Sequence, residues 1–211
     1  MSEVFVVRRA EFSIEDPWAL PPRADLIRLR LATSGAPPRL PTTFVAYFDT
    51  QFLTVLFSAA DDLIVATHLA HNAPLYEEDV VEVFLAPRTA SEYFELEVSP
   101  RGTVFDARID SPDGVRATMK ADRSWNCEGL FAAVRARKES TDTMSADTVI
   151  RIPFSALGAP TPRNGDSWRA NFFRIDRHLR LGDEYSAWQP TMEVPPDFHV
   201  TAAFGTLLFE G

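Results

Sequence analysis

The sequence predicts an all-β protein: an antiparallel two-sheet β-sandwich of the jelly-roll or immunoglobulin-like type, with roughly ten to twelve strands. Short stretches of alternating apolar and polar residues recur along the chain. This alternation is typical of strands, because successive side chains of a strand point to opposite faces. Clusters of Pro, Gly and Asp separate the stretches, and almost no segment shows the spacing of an amphipathic helix.

The clearest element is a hairpin within residues 79–98, DVVEVFLAPRTASEYFELEV. Apolar residues alternate with Glu and Phe on both sides of a short break. Pro87 lies in that break, where the missing N–H of proline does no harm to a strand ladder. The pattern predicts two half-buried strands near 80–85 and 93–98.

The remaining strands are predicted by the same alternation, and residues 44–49 and 52–59 form a second hairpin because only two residues separate them. Residues 155–158 are predicted to form one helical turn that ends at Gly158. No linker or internal repeat divides the chain, so a single domain over residues 1–211 is expected. The further predicted strands are residues 4–8, 26–31, 63–68, 103–109, 115–121, 130–137, 148–153, 168–176 and 204–209.

The central hairpin is expected to gather carboxylates. Glu82, Glu95 and Glu97 should lie on or near one face of the strand pair. Like charges that face each other in a sheet destabilise it, so an arginine, a calcium ion or a sugar is expected to cover them. The alternative is a solvated acidic face screened by Arg101 and Arg108.

Composition excludes several classes of protein. Lys and Arg total 21 and Asp and Glu total 30, which gives a net charge of −9. A nucleic-acid partner is therefore not expected, since its binding depends on neutralising phosphates. No apolar run approaches the length of a membrane-spanning helix, so no membrane partner is expected either. Cys127 is the only cysteine, which rules out an intrachain disulfide and a cysteine metal site.

Catalytic motifs are not found. The chain has no glycine-rich phosphate loop and no Gly-x-Ser-x-Gly elbow. His68 and His71 form a His-x-x-His pair in a predicted loop, which is a weak zinc motif without a helix and a glutamate. Glycoside hydrolysis stays an alternative, because it needs two carboxylates about 5–10 Å apart and Glu82 with Glu95 or Glu97 could supply them.

Two aromatic residues favour binding instead. Trp188 lies in the polar, turn-rich stretch EYSAWQPT at 184–191, and Tyr76 lies just before the central hairpin. Aromatic rings offer flat apolar faces that match the C–H faces of a pyranose, and nearby carboxylates and arginines can bond its hydroxyls. A sugar slot between Tyr76 and Trp188 is therefore predicted. The alternative is that both rings only cover the ends of the sandwich.

Several segments, in this order, resemble carbohydrate-binding module family 9, and the resemblance covers roughly residues 40–211. The segments are LYEEDVVEVFLAP at 75–87, YFELEVSPRG at 93–102, IRIPFSALG at 150–158, GDSWRANFFRID at 165–176, YSAWQPT at 185–191, FH at 198–199 and FGTL at 204–207.

The resemblance implies a non-catalytic sandwich that binds a mono- or oligosaccharide, or the end of a polysaccharide chain. In such modules two aromatic residues clamp the terminal sugar, and Tyr76 and Trp188 match those positions. Glu82 matches a carboxylate that bonds sugar hydroxyls, and Arg101 is the nearest match to a contributing arginine. Tyr185 stands where the family has an asparagine.

Arg174 is a second candidate donor to the sugar, because its strand is expected beside the Trp188 segment.

The family also implies a cofactor and a location. Its members often hold structural calcium, so calcium is a further expectation, with no ligand set identified. The N-terminus lacks a basic segment followed by an apolar one, so the chain as written is expected in the cytoplasm. The family context implies a secreted or periplasmic protein if a signal was removed. The oligomeric state is left undetermined.

A third function stays open beside sugar binding and hydrolysis. The chain could be a protein-interaction or structural sandwich that has kept the scaffold and lost the sugar. A large exposed apolar patch is typical of such a protein.

Overall fold

In the computed structural model, residues 3–21, 24–140, 143–178 and 181–211 are described. They form fourteen strands and three short 3-10 helices, so the all-β prediction is confirmed. The strands are β1 (Val4–Arg9), β2 (Ile27–Arg28), β3 (Arg30–Leu31), β4 (Thr42–Phe48), β5 (Phe52–Asp61), β6 (Val80–Ala86), β7 (Glu92–Val98), β8 (Val104–Asp110), β9 (Lys120–Asp122), β10 (Phe131–Lys138), β11 (Met144–Pro153), β12 (Ser167–Asp176), β13 (Glu184–Ala187) and β14 (Gly205–Glu210). The 3-10 helices are Leu75–Glu77, Arg116–Thr118 and Thr201–Ala203.

The sheet is mixed, so the prediction of a purely antiparallel fold is wrong. The strand order is β10-β11-β5-β4-β1-β14-β12-β6-β7-β8-β9, and β1 runs parallel to both β4 and β14. A short hairpin forces antiparallel pairing, but β1 inserts between two strands that are distant in the chain, and long connections permit the parallel arrangement.

The sheet curls so that its two halves enclose the main core. The first half is β10, β11, β5 and β4, and the second is β14, β12, β6, β7, β8 and β9. Apolar side chains from both halves form one cluster, in which the rings of Phe44 on β4 and Phe172 on β12 have centroids 4.2 Å apart. Each fully buried Phe contributes about 1.5–3 kcal/mol, so this cluster holds the sandwich closed.

The central hairpin is confirmed, with Glu82 on β6 opposite Glu97 on β7. The prediction that its strands are half-buried is wrong, because nearly every residue of β6 and β7 is buried on both faces. A second apolar cluster covers the outer face of the second half. It includes Phe84, Phe173 and Phe198.

Residues 63–68 do not form the predicted strand. Their backbone N–H groups donate to carboxylates instead of to a neighbouring strand: the N–H of Val65 donates to Asp79, and those of Thr67 and His68 donate to Glu78. The carboxylates satisfy donors that would otherwise need a ladder. This segment therefore runs as a loop along the start of the central hairpin.

Other boundaries also differ from the prediction. Residues 115–121 form a 3-10 helix and the short β9, and residues 26–31 form two strands of two residues each. Residues 155–158 form a turn rather than a helical turn. The unpredicted strand is β13, which pairs with β12 and β3. Its sequence contains two small and two polar or aromatic residues, so its alternation is weak.

Candidate functional site

A cleft of about 570 Å³ opens on the outer face of the second half of the sheet. The 3-10 helix Leu75–Glu77, strands β6, β7, β8, β12 and β13, and the segment 193–199 contribute to its lining. Among the residues that line the cleft are four aromatic rings, two strand glutamates, three arginines and a histidine, with Glu193 and Asp197 in the segment 193–199. The first four groups are Tyr76, Phe105, Tyr185, Phe198, Glu82, Glu95, Arg116, Arg123, Arg177 and His199.

Strand periodicity explains which side chains reach the cleft. On β6, Glu82 points to the same face as Phe84, while Val81 and Val83 point into the main core. On β7, Glu95 and Glu97 share the face of Glu82, because Glu82 and Glu97 are cross-strand partners. The glutamates were therefore correctly predicted to share one face.

Two tyrosines stand on the cleft and are joined by one arginine. Tyr76 is 37% exposed and Tyr185 is half-buried. Arg177 donates hydrogen bonds to the carbonyl oxygen of Tyr76 and to the hydroxyl of Tyr185, and its guanidinium lies 5.3 Å from the Tyr185 ring centroid. Phe105 packs against Tyr76 and Phe198 against Tyr185. Phe105 and Phe198 thus help to fix the positions of the two tyrosine rings.

Three arginines make the cleft partly cationic. Arg177 pairs with Asp183, and Arg116 pairs with Asp197 at 2.8 Å. Arg123 lies 5.5 Å from the centroid of the Phe105 ring and forms no ion pair among the described residues. The cleft thus offers guanidinium donors beside aromatic faces, which suits a ligand rich in hydroxyl groups.

The carboxylates of Glu82, Glu95 and Glu97 are buried, which contradicts the alternative of a solvated acidic face. Burial raises the pKa of Glu95 to about 7. Burial, and next the neighbouring carboxylates, raise the pKa values of Glu82 and Glu97 well above the usual range. In the described part of the chain, these three residues form the only group of three or more Asp, Glu, His or Cys side chains placed to hold a metal ion.

His199 lies next to this group. Its Nδ1 is 2.7 Å from the Tyr93 hydroxyl, and its Nε2 is 3.6 Å from Oε1 of Glu95. Burial lowers the pKa of His199 to about 4, so the imidazole is neutral near pH 7. A neutral ring beside the carboxylates can accept a hydrogen bond or donate a lone pair to a cation, but it does not neutralise them.

Trp188 does not line the cleft, so the prediction of a slot between Tyr76 and Trp188 is wrong. Its side chain is 1% exposed and packs in the main core against Phe5, Phe44 and Phe172. The reason is again periodicity. Tyr185 and Trp188 are three residues apart in an extended segment, so they point to opposite faces of the sheet.

Arg174 also lies outside the cleft, so its prediction as a sugar donor is contradicted. It points to the face opposite Glu82 and is 3% exposed. Its guanidinium is bonded to Asp61 and Asp176, each at 2.9 Å, and to Thr42 at 3.2 Å. With a further bond to the carbonyl oxygen of Ala60, both terminal nitrogens of the guanidinium are engaged within the fold. Arg174 therefore has a structural role in the fold.

Arg101 lies exposed in the turn between β7 and β8 and does not line the cleft. Of the six predicted site residues, the structure brings Tyr76, Glu82 and Tyr185 together. It places the other three elsewhere.

Sequence reasoning missed the cleft arginines and the segment 193–199. The sequence could have identified Phe105, because the alternation of β8 places this ring on the face of the glutamates. Arg116 and Arg123 lie in loops and turns around β9, where no periodic pattern predicts a direction. Arg177 directly follows β12, and only the fold brings it beside Tyr76, which is distant in the chain.

The metal expectations stay predictions. His68 lies 3.8 Å from Glu77 and His71 lies 3.4 Å from Asp106, so the two histidines contact different carboxylates. Among the described residues, neither belongs to a group of three possible metal ligands. Structural calcium, for which no ligand set was identified, likewise stays a prediction.

In the described part of the chain, no helix is both long enough and apolar enough to span a membrane.

The fold is a β-sandwich with a concave cleft that is lined by aromatic and charged side chains. The model of Carbohydrate-binding family 9 matches residues 37–209, and the chain belongs to this family. This match confirms the family resemblance that the sequence segments indicated. A search of curated proteins gives no match.

Three solved structures share the fold. A candidate carbohydrate-binding protein from Bacteroides uniformis ATCC 8492 has a TM-score of 0.77 at 17% identity, with 100% of each chain covered. A family 9 module from Caldicellulosiruptor kristjanssonii in complex with cellotriose has a TM-score of 0.65 at 14% identity, covering 99% of this chain and 94% of that one. The same organism's module in complex with glucose has a TM-score of 0.63 at 14% identity, covering 99% and 96%.

Proposed function

We propose that this protein binds a sugar, or the end of a glycan chain, in the cleft and does not cleave it. Membership of Carbohydrate-binding family 9 supports the class of ligand. Two structures that share the fold are complexes with cellotriose and glucose, which supports a glucose-type unit.

The placement of Tyr76, Tyr185 and Glu82 on one cleft is the main support. The two rings provide apolar faces for the C–H surface of a pyranose. Glu82 provides an acceptor for its hydroxyls, and Arg123 and Arg177 provide donors. In this proposal Tyr185 replaces Trp188 as the second aromatic residue, because Tyr185 is the one that faces the cleft.

Calorimetric titration with glucose, cellobiose and cellotriose tests the proposal. Tyr76→Ala should weaken the binding at least tenfold, or by about 1.4 kcal/mol, because it removes an exposed stacking face. Leu69→Ala is the matched control: Leu69 is exposed and does not line the cleft, so its loss should not change affinity. Absence of heat with all three sugars, from protein shown to be folded, would contradict the proposal and favour the protein-interaction sandwich.

Hydrolysis by Glu82 with Glu95 or Glu97 is tested in the same samples. Incubation of cellotriose with the protein, followed by chromatography of the products, should leave the trisaccharide intact. Release of glucose and cellobiose that stops in Glu82→Gln would favour the enzyme instead.

A further inference from the structure

Three carboxylates meet at the base of the cleft. One oxygen each from Glu82, Glu95 and Glu97 lies within 4.8 Å of the other two. Glu82 and Glu95 line the cleft, and Glu97 lies behind them, 0% exposed. The group therefore combines a buried ligand set with an open path from solvent, which a metal site requires.

Glu97 provides a second observation. Both of its carboxylate oxygens are buried, and no described donor of the protein forms a hydrogen bond with either of them. A buried carboxylate without a partner is strongly destabilising. Its oxygens belong to the group at the base of the cleft, so a partner that reaches Glu97 would also contact Glu82 and Glu95.

Buried carboxylates elsewhere in the fold, such as those of Asp79 and Glu184, have hydrogen-bond donors of the protein. Asp79 accepts hydrogen bonds from the backbone N–H groups of Val65 and Arg177. Glu184 accepts two from the N–H of Arg39. The unpartnered state of Glu97 is therefore a local feature and not the general condition of buried acids in this fold.

The cleft arginines are not the partners of the three glutamates. Arg116, Arg123 and Arg177 line the cleft, but among the described residues none forms an ion pair with the three glutamates. Arg116 and Arg177 pair with Asp197 and Asp183 instead. The competing arrangement is a proton shared between Glu95 and Glu97, whose carboxyl groups lie close enough for it.

We propose that Glu82, Glu95 and Glu97 bind a divalent cation at the base of the cleft, and that the cation takes part in holding the sugar. The second half of this inference rests on the proposed function. Carboxylate oxygens suit Ca²⁺, Mg²⁺ and Mn²⁺. In the tautomer with its proton on Nδ1, next to Tyr93, His199 directs the lone pair of Nε2 toward Glu95 and adds a nitrogen ligand that Mn²⁺ can accept.

The cation is tested first and without sugar. Protein treated with EDTA and then dialysed is titrated with CaCl₂ and with MnCl₂, by calorimetry and, for Mn²⁺, by electron paramagnetic resonance. One saturable site per chain is expected for at least one cation, with a rise in the unfolding temperature of the wild-type protein. Glu97→Gln, which keeps the shape of the side chain, should weaken binding at least about tenfold. Glu193→Gln is the matched control, because Glu193 lines the same cleft outside the group.

Two results would overturn the cation site. One is the absence of saturable binding of either cation to folded wild-type protein, which would leave the shared proton as the explanation. The other is equal binding by wild-type protein and Glu97→Gln. If Glu97→Gln does not fold, the wild-type titration still decides, and Glu82→Gln replaces it as the variant.

Sugar titrations with saturating cation and with EDTA then separate the two proposals. At least a tenfold gain in affinity for cellotriose with cation supports the proposal that the cation takes part in holding the sugar. Equal affinity in both conditions overturns that role and leaves the sugar site intact. Cation binding without any sugar binding would contradict the proposed function while the cation site stands.

Discussion

The indole ring of Trp188 lies directly against the backbone of Gly205. A Cβ atom at position 205 would lie 2.3 Å from the ring, far closer than van der Waals contact. Gly205 begins β14 and pairs with Ala170 on β12, so the absence of a side chain makes room for the largest fully buried residue of the core. This contact holds Trp188 inside the sandwich and away from the cleft.

Gly205→Ala should lower the free energy of unfolding by about 1–3 kcal/mol or more, because the added methyl group overpacks the core. Chemical denaturation measures the loss. In a Trp188→Leu background the same substitution should cost much less, since the ring that it meets is gone. An equal cost in both backgrounds would contradict the contact.

Trp188→Phe should lower the free energy of unfolding by about 2 kcal/mol, because a smaller ring leaves part of the site empty. Sugar affinity should be unchanged, since Trp188 does not reach the cleft. Denaturation and calorimetry on the same preparation measure both quantities. A loss of affinity without a loss of stability would place Trp188 in the sugar site after all.

Arg174→Met should lower the free energy of unfolding by about 3–5 kcal/mol, because it leaves Asp61 and Asp176 buried without their partner. Arg8→Met is the matched control. It breaks an exposed pair with Asp25, which solvent screens, so it should change the free energy of unfolding far less than Arg174→Met does. If sugar affinity fell while Arg174→Met kept its stability, the structural role of Arg174 would be rejected.

Arg123→Ala and Arg101→Ala compare two exposed arginines, of which only Arg123 lines the cleft. Arg123→Ala should weaken sugar binding by about fivefold to tenfold, as expected for the loss of a charged donor. Arg101→Ala should leave the affinity unchanged. If calorimetry showed that Arg101→Ala weakens sugar binding and Arg123→Ala does not, the sugar site would lie at the turn between β7 and β8 instead.

Cys127 should be unreactive in the folded protein. Burial raises its thiol pKa to about 12, so at pH 8 about one molecule in ten thousand carries the thiolate that reacts with a disulfide reagent. The stabilising contribution of the neutral thiol is full below the ordinary pKa of 9.0 and is lost as the pH rises from there toward 12. Reaction with a chromogenic disulfide at pH 8 should be slow in buffer and fast in denaturant. Equal rates would contradict the burial.

Period-two alternation, a purely local signal, determined a large part of this fold. It correctly predicted the central hairpin, the hairpin of β4 and β5, and the placement of Glu82, Glu95 and Glu97 on one face. Ordered segments also identified the family. The sequence could not determine what lies over each face, because that depends on segments distant in the chain.

Only the tertiary structure decided which residues share the cleft. Tyr185 and Trp188 both lie in the predicted binding stretch, yet Tyr185 on β13 lines the cleft and Trp188, directly after β13, lies in the core. The sequence did not predict β13, because its alternation is weak. Its extended conformation depends on pairing with β12 and β3. A solvated glutamate face was one of the alternatives left open by the sequence, and in the structure the three carboxylates are buried at the base of the cleft. Burial and direction are set by packing between distant segments, whereas alternation is set within a single strand.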